Sequence, residues 1–90
     1  MVKQVRVYYS GRVQGVGFRF TARSIADDLG IGGWVKNLPD GVVEIVAQAE
    51  EEAVSDFLER IKQEFSGYIH DSQVSWRQAE GNLREFTISF

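Results

Sequence analysis

The sequence predicts an α+β fold of the ferredoxin-like type, a split βαβ unit of order β-α-β-β-α-β with a short extra strand at the C-terminus. Segments with helical spacing alternate with segments whose apolar residues recur at every second position. A turn signal at residues 38–41 joins the two middle strands, and a glycine follows each helical segment. In this arrangement two helices cover one face of an antiparallel sheet, and we expect a single domain over residues 1–90.

The first strand and the first helix are predicted from a change of period. Residues 2–10 alternate between apolar and polar side chains, which is typical of a strand. After a glycine-rich stretch at 11–17 the spacing becomes helical, and Gly30 stands where a glycine commonly follows the last helical residue. The side chains predicted to face the core are Val5, Val7 and Tyr9 of the strand and Phe18, Ala22, Ile25, Ala26 and Leu29 of the helix.

A hairpin is predicted at the centre of the chain. Residues 31–37 and 42–49 both have the composition and alternation of strands. Between them, Pro39 presets a turn conformation, the side chain of Asp40 can bind the backbone, and Gly41 tolerates a positive φ. The two strands should therefore pair with each other.

A second helix and two further strands complete the prediction. The helix begins at three glutamates, 50–52, whose negative charge suits a helix N-terminus, and Gly67 is predicted to end it. Strands are expected at 73–78 and in the alternating residues 86–90. The core of this half is predicted to contain Ala53, Val54, Phe57, Leu58, Ile61 and Phe65, and we also expect Trp34 and Trp76 to pack in the core.

Composition excludes several classes of function. The chain carries 10 Lys and Arg against 13 Asp and Glu, a net charge of −3, which argues against a broad nucleic-acid footprint. The absence of cysteine excludes disulfides and thiolate catalysis, and the single histidine, His70, excludes a multi-histidine metal site. No apolar run approaches the roughly 20 residues of a membrane span, and the N-terminus lacks the apolar core of a signal peptide. We therefore expect a cytoplasmic protein without metal, membrane or nucleic-acid partners, and we also expect a monomer.

The glycine-rich stretch 11–17 lies between a predicted strand and a predicted helix, where backbone N–H groups and the helix dipole favour a bound anion. A P-loop needs a second glycine five residues after Gly11, but that position is Val16. The dinucleotide-binding fingerprint needs a glycine three residues after Gly17, and that position is Phe20. The stretch therefore predicts an anion site of neither kind.

Arg19 and Asn37 are the two polar candidates near this stretch. Arg19 falls in the first turn of the helix, where a cation opposes the helix dipole unless an anion binds beside it. From spacing alone, a solvated Arg19 and an Asn37 that caps a strand or forms an Asx-turn remain the alternatives. Arg23 either attracts an anion or pairs with Asp27, four residues later.

Two blocks of the sequence resemble the signatures of the acylphosphatase family. The first is Gly11-Arg12-Val13-Gln14-Gly15-Val16-Gly17-Phe18-Arg19, which is similar to the family's glycine loop. The second is Gly33-Trp34-Val35-Lys36-Asn37, followed by Asp40-Gly41-Val42-Val43-Glu44, at the spacing that an intervening helix requires. The resemblance covers nearly the whole chain and implies the same ferredoxin-like fold.

The resemblance also implies a reaction, the hydrolysis of the carboxyl-phosphate bond of small acyl phosphates to a carboxylate and inorganic phosphate, without a metal or cofactor. It implies that Arg19 and Asn37 are the catalytic residues, Asn37 by orienting the attacking water. The residues implied to bind phosphate are Gln14, Gly15, Val16, Gly17, Phe18 and Arg19. The alternative is a non-catalytic anion-binding domain. An RNA-binding module of the same strand order is disfavoured, because its aromatic motif belongs on a central strand.

Overall fold

The structure, a computed structural model, describes all residues from 1 to 90. Five strands and two helices follow one another in the predicted order. The strands are β1 (Val2–Gly11), β2 (Gly32–Asn37), β3 (Val43–Glu50), β4 (Ile69–Gln78) and β5 (Phe86–Ser89), and the helices are α1 (Phe18–Leu29) and α2 (Glu51–Glu64). The predicted α+β ferredoxin-like architecture is confirmed. Neither helix has the length and apolar character that a membrane-crossing segment requires.

The five strands form one sheet in the order β4-β1-β3-β2-β5. β1 pairs antiparallel with β3 and β4, and β2 pairs antiparallel with β3. β5, however, runs parallel to β2, with Lys36 beside Ser89, so the sheet is mixed and the prediction of an antiparallel sheet holds only for its other pairs. The connection 79–85 crosses one end of the sheet between the two edge strands, so β5 starts at the end where β2 starts.

The core lies between the sheet and the two helices, which pack on the same face. The predicted inward positions of β1 and the predicted stripe of α2 are buried or half-buried there. Phe18, the first residue of α1, is 2% exposed, and its ring centre lies 5.3 Å from that of Tyr9. Burial of such a side chain contributes about 1.5–3 kcal/mol. This packing fixes the start of α1 on the sheet, directly after the glycine-rich stretch.

Three predictions for the second half of the chain are wrong. β4 begins at Ile69 rather than at residue 73, because the polar residues that precede 73 pair with the end of β1. The cap of α2 is Phe65, whose N–H donates to the Ile61 carbonyl, so the helix ends before Gly67. Trp76 is 44% exposed rather than part of the core, because β4 is an edge strand and α2 packs over β1 and β3 instead.

The sheet face opposite the helices carries polar side chains that contact one another across the strands. The Gln4 amide donates to the Gln48 side-chain oxygen at 3.0 Å, and the Glu80 backbone N–H donates to the same oxygen at 3.0 Å. Arg6 lies 3.5 Å from the Glu44 carboxylate on the neighbouring strand. The Gln48 contacts attach the connection 79–85 to the sheet, which keeps β5 in place beside β2.

Candidate active site

The loop between β1 and α1, residues 12–17, is anchored at its beginning and along its length. The Arg12 N–H donates to the Tyr68 carbonyl at 2.9 Å, next to the start of β4. The side chain of Val13 is 1% exposed, and Val16 packs partly against the core. The path of the loop is therefore set by the fold itself.

The end of the loop leaves the N-terminus of α1 open. Gly17 is the N-cap and has a φ of 79°, a left-handed conformation that favours glycine. No side chain caps the helix, and its first turn contains no acidic residue. The first N–H groups of a helix lack partners within the helix, and here no protein side chain supplies an acceptor at the cap. These groups, together with the helix dipole, form a positive end that suits an anion such as phosphate.

Gln14 ties the loop to the turn between β2 and β3. Its side-chain amide donates to the Leu38 carbonyl at 2.9 Å and to the Val42 carbonyl at 3.1 Å. Both amide protons are thereby used, so only the backbone N–H of Gln14 is left for a phosphate. Leu38 directly follows Asn37, so these two bonds hold the loop against the segment that carries the asparagine.

Arg19 is half-buried, one residue into α1, and forms no ion pair within the protein. The centre of its guanidinium group lies 5.0 Å above the ring of Phe90. A cation over an aromatic face gains about 0.5–1 kcal/mol at an exposed site and loses none of its charge. The guanidinium is thus positioned by an uncharged partner, and its hydrogen-bond donors remain available.

Asn37 is the last residue of β2 and pairs with Val43 of β3. Its side-chain oxygen is buried and has no hydrogen-bond partner. An unsatisfied buried acceptor is destabilising by about 1–3 kcal/mol, so few are retained. The oxygen of Asn37 accepts no backbone N–H and so forms no Asx-turn; in the turn, it is Asp40 that accepts the Val42 N–H, at 3.1 Å.

The register of the sheet relates the two candidate residues. β5 runs parallel to β2 and its last residue, Ser89, pairs with Lys36, so Phe90 follows at the end of β2 where Asn37 lies. The Phe90 ring in turn lies beneath the Arg19 guanidinium. Arg19 and Asn37 therefore lie at the same end of the sheet, where the Gln14 contacts also hold the loop against the β2–β3 turn.

The nearby arginines have no acidic partners. Arg23 lies 5.6 Å from the ring of Phe20 and makes no ion pair with Asp27, so the alternative of a structural Arg23–Asp27 pair is wrong. Arg12 lies 5.9 Å from the ring of Tyr68. Three arginines, at positions 12, 19 and 23, thus keep uncompensated positive charge around the loop of a chain whose net charge is −3.

The comparison with known proteins decides the family. The family model described as acylphosphatase matches residues 5–88. This chain belongs to the acylphosphatase family. The acylphosphatase of Bacillus subtilis (strain 168) is 43% identical over 89 residues, 97% of each chain. That of Methanospirillum hungatei JF-1 is 42% identical over 79 residues, 88% of this chain and 87% of its own.

The fold of this acylphosphatase agrees with an experimental structure of the family. The crystal structure of acylphosphatase from Bacillus subtilis superimposes with a TM-score of 0.91 at 39% identity and covers 100% of both chains. The family predicted from the two sequence blocks is therefore confirmed, and with it an acylphosphatase enzyme, a hydrolase of acyl phosphates.

Sequence reasoning missed two features of this acylphosphatase site. It gave no separate role to the side chain of Gln14, which binds the neighbouring turn. It also gave no role to Phe90 beneath Arg19. Neither contact leaves a signal in the sequence, because each joins residues that only the assembled sheet brings together.

Proposed function

We propose that the chain hydrolyses small acyl phosphates by holding the phosphate between Arg19 and the loop amides while Asn37 orients the attacking water. The cradle consists of the backbone N–H groups of Gln14, Gly15, Val16, Gly17 and Phe18. The buried, unpartnered oxygen of Asn37 carries the proposal. It is an acceptor without a protein donor, in the residue before Leu38, whose carbonyl accepts a hydrogen bond from the loop, and a water molecule would satisfy it.

The clamp is electrostatic. Charge-assisted hydrogen bonds contribute about 1.5–3 kcal/mol each, and a guanidinium can present two parallel donors to phosphate oxygens. The absence of an ion pair to Arg19 means that no carboxylate competes with the phosphate. Preorganised donors of this kind stabilise the charge that the three equatorial oxygens carry during phosphoryl transfer.

The water is held by an amide that both accepts and donates hydrogen bonds. Asn37 Oδ1 accepts one O–H of the water, which leaves a lone pair of the water free to attack phosphorus opposite the leaving group. The bond between phosphorus and the carboxyl oxygen breaks as the new phosphorus–oxygen bond forms, and the carboxylate leaves with the bonding electrons. Positioning of this kind supplies a large part of the catalysis of many enzymes.

The proposed reaction needs no acid–base residue. The leaving carboxylate is stable without a proton, and the phosphate itself accepts the proton of the attacking water. The one titratable group with a clear shift is Tyr9, whose burial raises the pKa of its phenol and keeps it neutral in the core beside Phe18. We therefore propose metal-free turnover, which should continue in the presence of EDTA.

The test compares two alanine variants with matched controls, using benzoyl phosphate as substrate and inorganic phosphate as inhibitor. Asn37→Ala should lower kcat by about 100-fold or more and leave phosphate inhibition nearly unchanged. Arg19→Ala should lower turnover and also weaken phosphate inhibition. The controls are Asn82→Ala and Arg23→Ala, both exposed and outside the proposed clamp, which should keep near-normal kcat.

Each outcome is informative. Normal turnover by Asn37→Ala would remove it from the mechanism, and unchanged phosphate inhibition in Arg19→Ala would place the clamp elsewhere. Phosphate binding without any hydrolysis of benzoyl phosphate by the parent chain would favour the non-catalytic anion-binding alternative.

We further propose that the chain acts as a single domain over residues 1–90 in the cytoplasm. Its proposed partner is the small acyl phosphate itself, with no role for nucleic acid, because the acidic net charge of −3 opposes a phosphate backbone. Fractionation of cells that express the tagged chain tests the compartment, and retention on heparin at physiological salt would contradict the exclusion of nucleic acid.

A further inference from the structure

The outer edge of β4 is an unprotected strand. β4 pairs with β1 on one side only, and from His70 to Gln78 every residue is exposed. It contains no proline, glycine or lysine, the residues that commonly block edge pairing. On its helix-facing side, Val74 is 45% and Trp76 44% exposed, because α2 packs over β1 and β3. The strand thus offers a free row of backbone hydrogen-bonding groups and an apolar strip together.

We propose that this edge joins two copies of the chain, with β4 antiparallel to β4 of the second copy and a twofold axis at Val74. This register pairs nearly the whole strand and forms a continuous ten-stranded sheet. It places the helices of both copies on the same face, since opposite residues of an antiparallel pair project to the same side. Val74 then meets the partner's Val74, and Trp76 lies diagonally across from it.

Charge complementarity selects this register. With the axis at Val74, Asp71 stands opposite the partner's Arg77, and the pair occurs twice. Asp71 and Arg77 lie on the same face of β4, because they pair with Ser10 and Gln4 of β1, which share a face. Within one chain they are about 20 Å apart along the strand and cannot reach each other. Neither forms an ion pair within the protein.

The apolar strip extends beyond the strand itself. A groove of about 530 Å³ lies between α2 and β4; its lining is mostly polar, and its apolar side chains include Leu58, Ile69 and Val74. In the paired arrangement the two grooves lie side by side, flanked by the two α2 helices. An interface built on one strand pair is small, so the dimer is weak and reversible. The proposed dimer differs from the monomer that the sequence alone predicts.

Sedimentation equilibrium over about 10 µM to about 1 mM, the range of weak association, tests the proposal. Asp71→Arg and Arg77→Asp each turn two attractions into two repulsions and should weaken dimerisation about tenfold or more. The double variant, Asp71→Arg with Arg77→Asp, restores opposite charges across the axis and should regain parental affinity. Asp56→Arg and Arg84→Asp, exposed positions outside β4, are the controls for net charge and should dimerise as the parent does.

Circular dichroism and benzoyl phosphate hydrolysis verify that every variant is folded, so a loss of dimer is not a loss of structure. A parent chain that stays monomeric up to the highest concentration would overturn the proposal. An extended segment of another protein would then be the alternative partner of the β4 edge. The register at Val74 would be overturned if neither single substitution weakened dimerisation. It would also be overturned if the double variant dimerised as weakly as the single variants.

Discussion

Replacing Gln14 removes the two hydrogen bonds that hold the loop of residues 12–17 against the β2–β3 turn. Its amide donates to the carbonyls of Leu38 and Val42 at 2.9 and 3.1 Å. Both carbonyls keep a backbone donor without it, because Leu38 also accepts from Gly41 N–H and Val42 from Leu38 N–H. No buried acceptor is left without a donor. The free energy of unfolding should therefore fall by the contribution of two ordinary hydrogen bonds, about 1–3 kcal/mol in total.

Gln14→Met keeps the length of the side chain and removes both donors. For a domain of this size, the expected loss of stability lowers Tm by about 5–20 °C. Because the bonds fix the loop beside Asn37, kcat/KM for benzoyl phosphate should also fall about tenfold or more. Gln14→Glu should be more harmful at neutral pH, since its carboxylate faces two carbonyl oxygens. Part of its stability should return as the pH falls toward about 4, because the two carbonyl oxygens favour the protonated acid, which regains a donor.

Thermal melts and urea unfolding measure the stability term, and initial rates with benzoyl phosphate measure the catalytic term. A Gln14→Met variant within about 0.5 kcal/mol of the parent, with unchanged kcat/KM, would refute the role of these two bonds, since that is the range of ordinary surface substitutions.

Two further predictions concern stability. In Gly33→Ala, the added Cβ would lie 1.9 Å from the Val46 carbonyl oxygen, at a φ of +141°, so the folded fraction should fall sharply. In the control Gly67→Ala, the added Cβ meets nothing within 4 Å, so this variant should melt like the parent. Equal melting temperatures for the two variants would contradict this steric account. Burial raises the pKa of the Tyr9 phenol above its ordinary value of 10.0, so above pH 10 the unfolded chain releases a proton that the native chain retains. The free energy of unfolding should therefore decline as the pH rises beyond 10, and less steeply in Tyr9→Phe; identical slopes would show that Tyr9 contributes nothing to the decline.

The fold was predictable where local signals and burial agree. Gly30 follows α1 as predicted, with its left-handed φ of 68°, and the alternation of β1 places Val5, Val7 and Tyr9 in the core. The start of β4 was not predictable, because the polar residues at this edge strand have no buried face. The pairing of β4 with β1 decides where the strand begins. The parallel direction of β5 likewise follows from the path of residues 79–85 across the sheet.

For the site, the residue types were predictable and their surroundings were not. Arg19 and Asn37 stand out by position and by resemblance, and each has a plausible local role that the sequence leaves open. Local turn chemistry does not distinguish Asn37 from Asp40 as the residue that closes the turn. Only the structure does so, through the hydrogen bond that Val42 N–H donates to Asp40. The direction of the Gln14 amide depends on carbonyls 24 and 28 residues away, which no local pattern encodes.

The position of β1 in the sheet bears on how fast the chain folds. β1 comes first in the sequence, yet its neighbours are β3 and β4, and the loop after it is anchored to Tyr68. Closing such long chain segments is entropically unfavourable before any contact compensates, which slows folding relative to helical proteins of similar length. We therefore expect the proposed phosphate cradle to be among the last parts to become ordered, so that a refolding chain acquires helix signal by circular dichroism before it recovers hydrolysis of benzoyl phosphate.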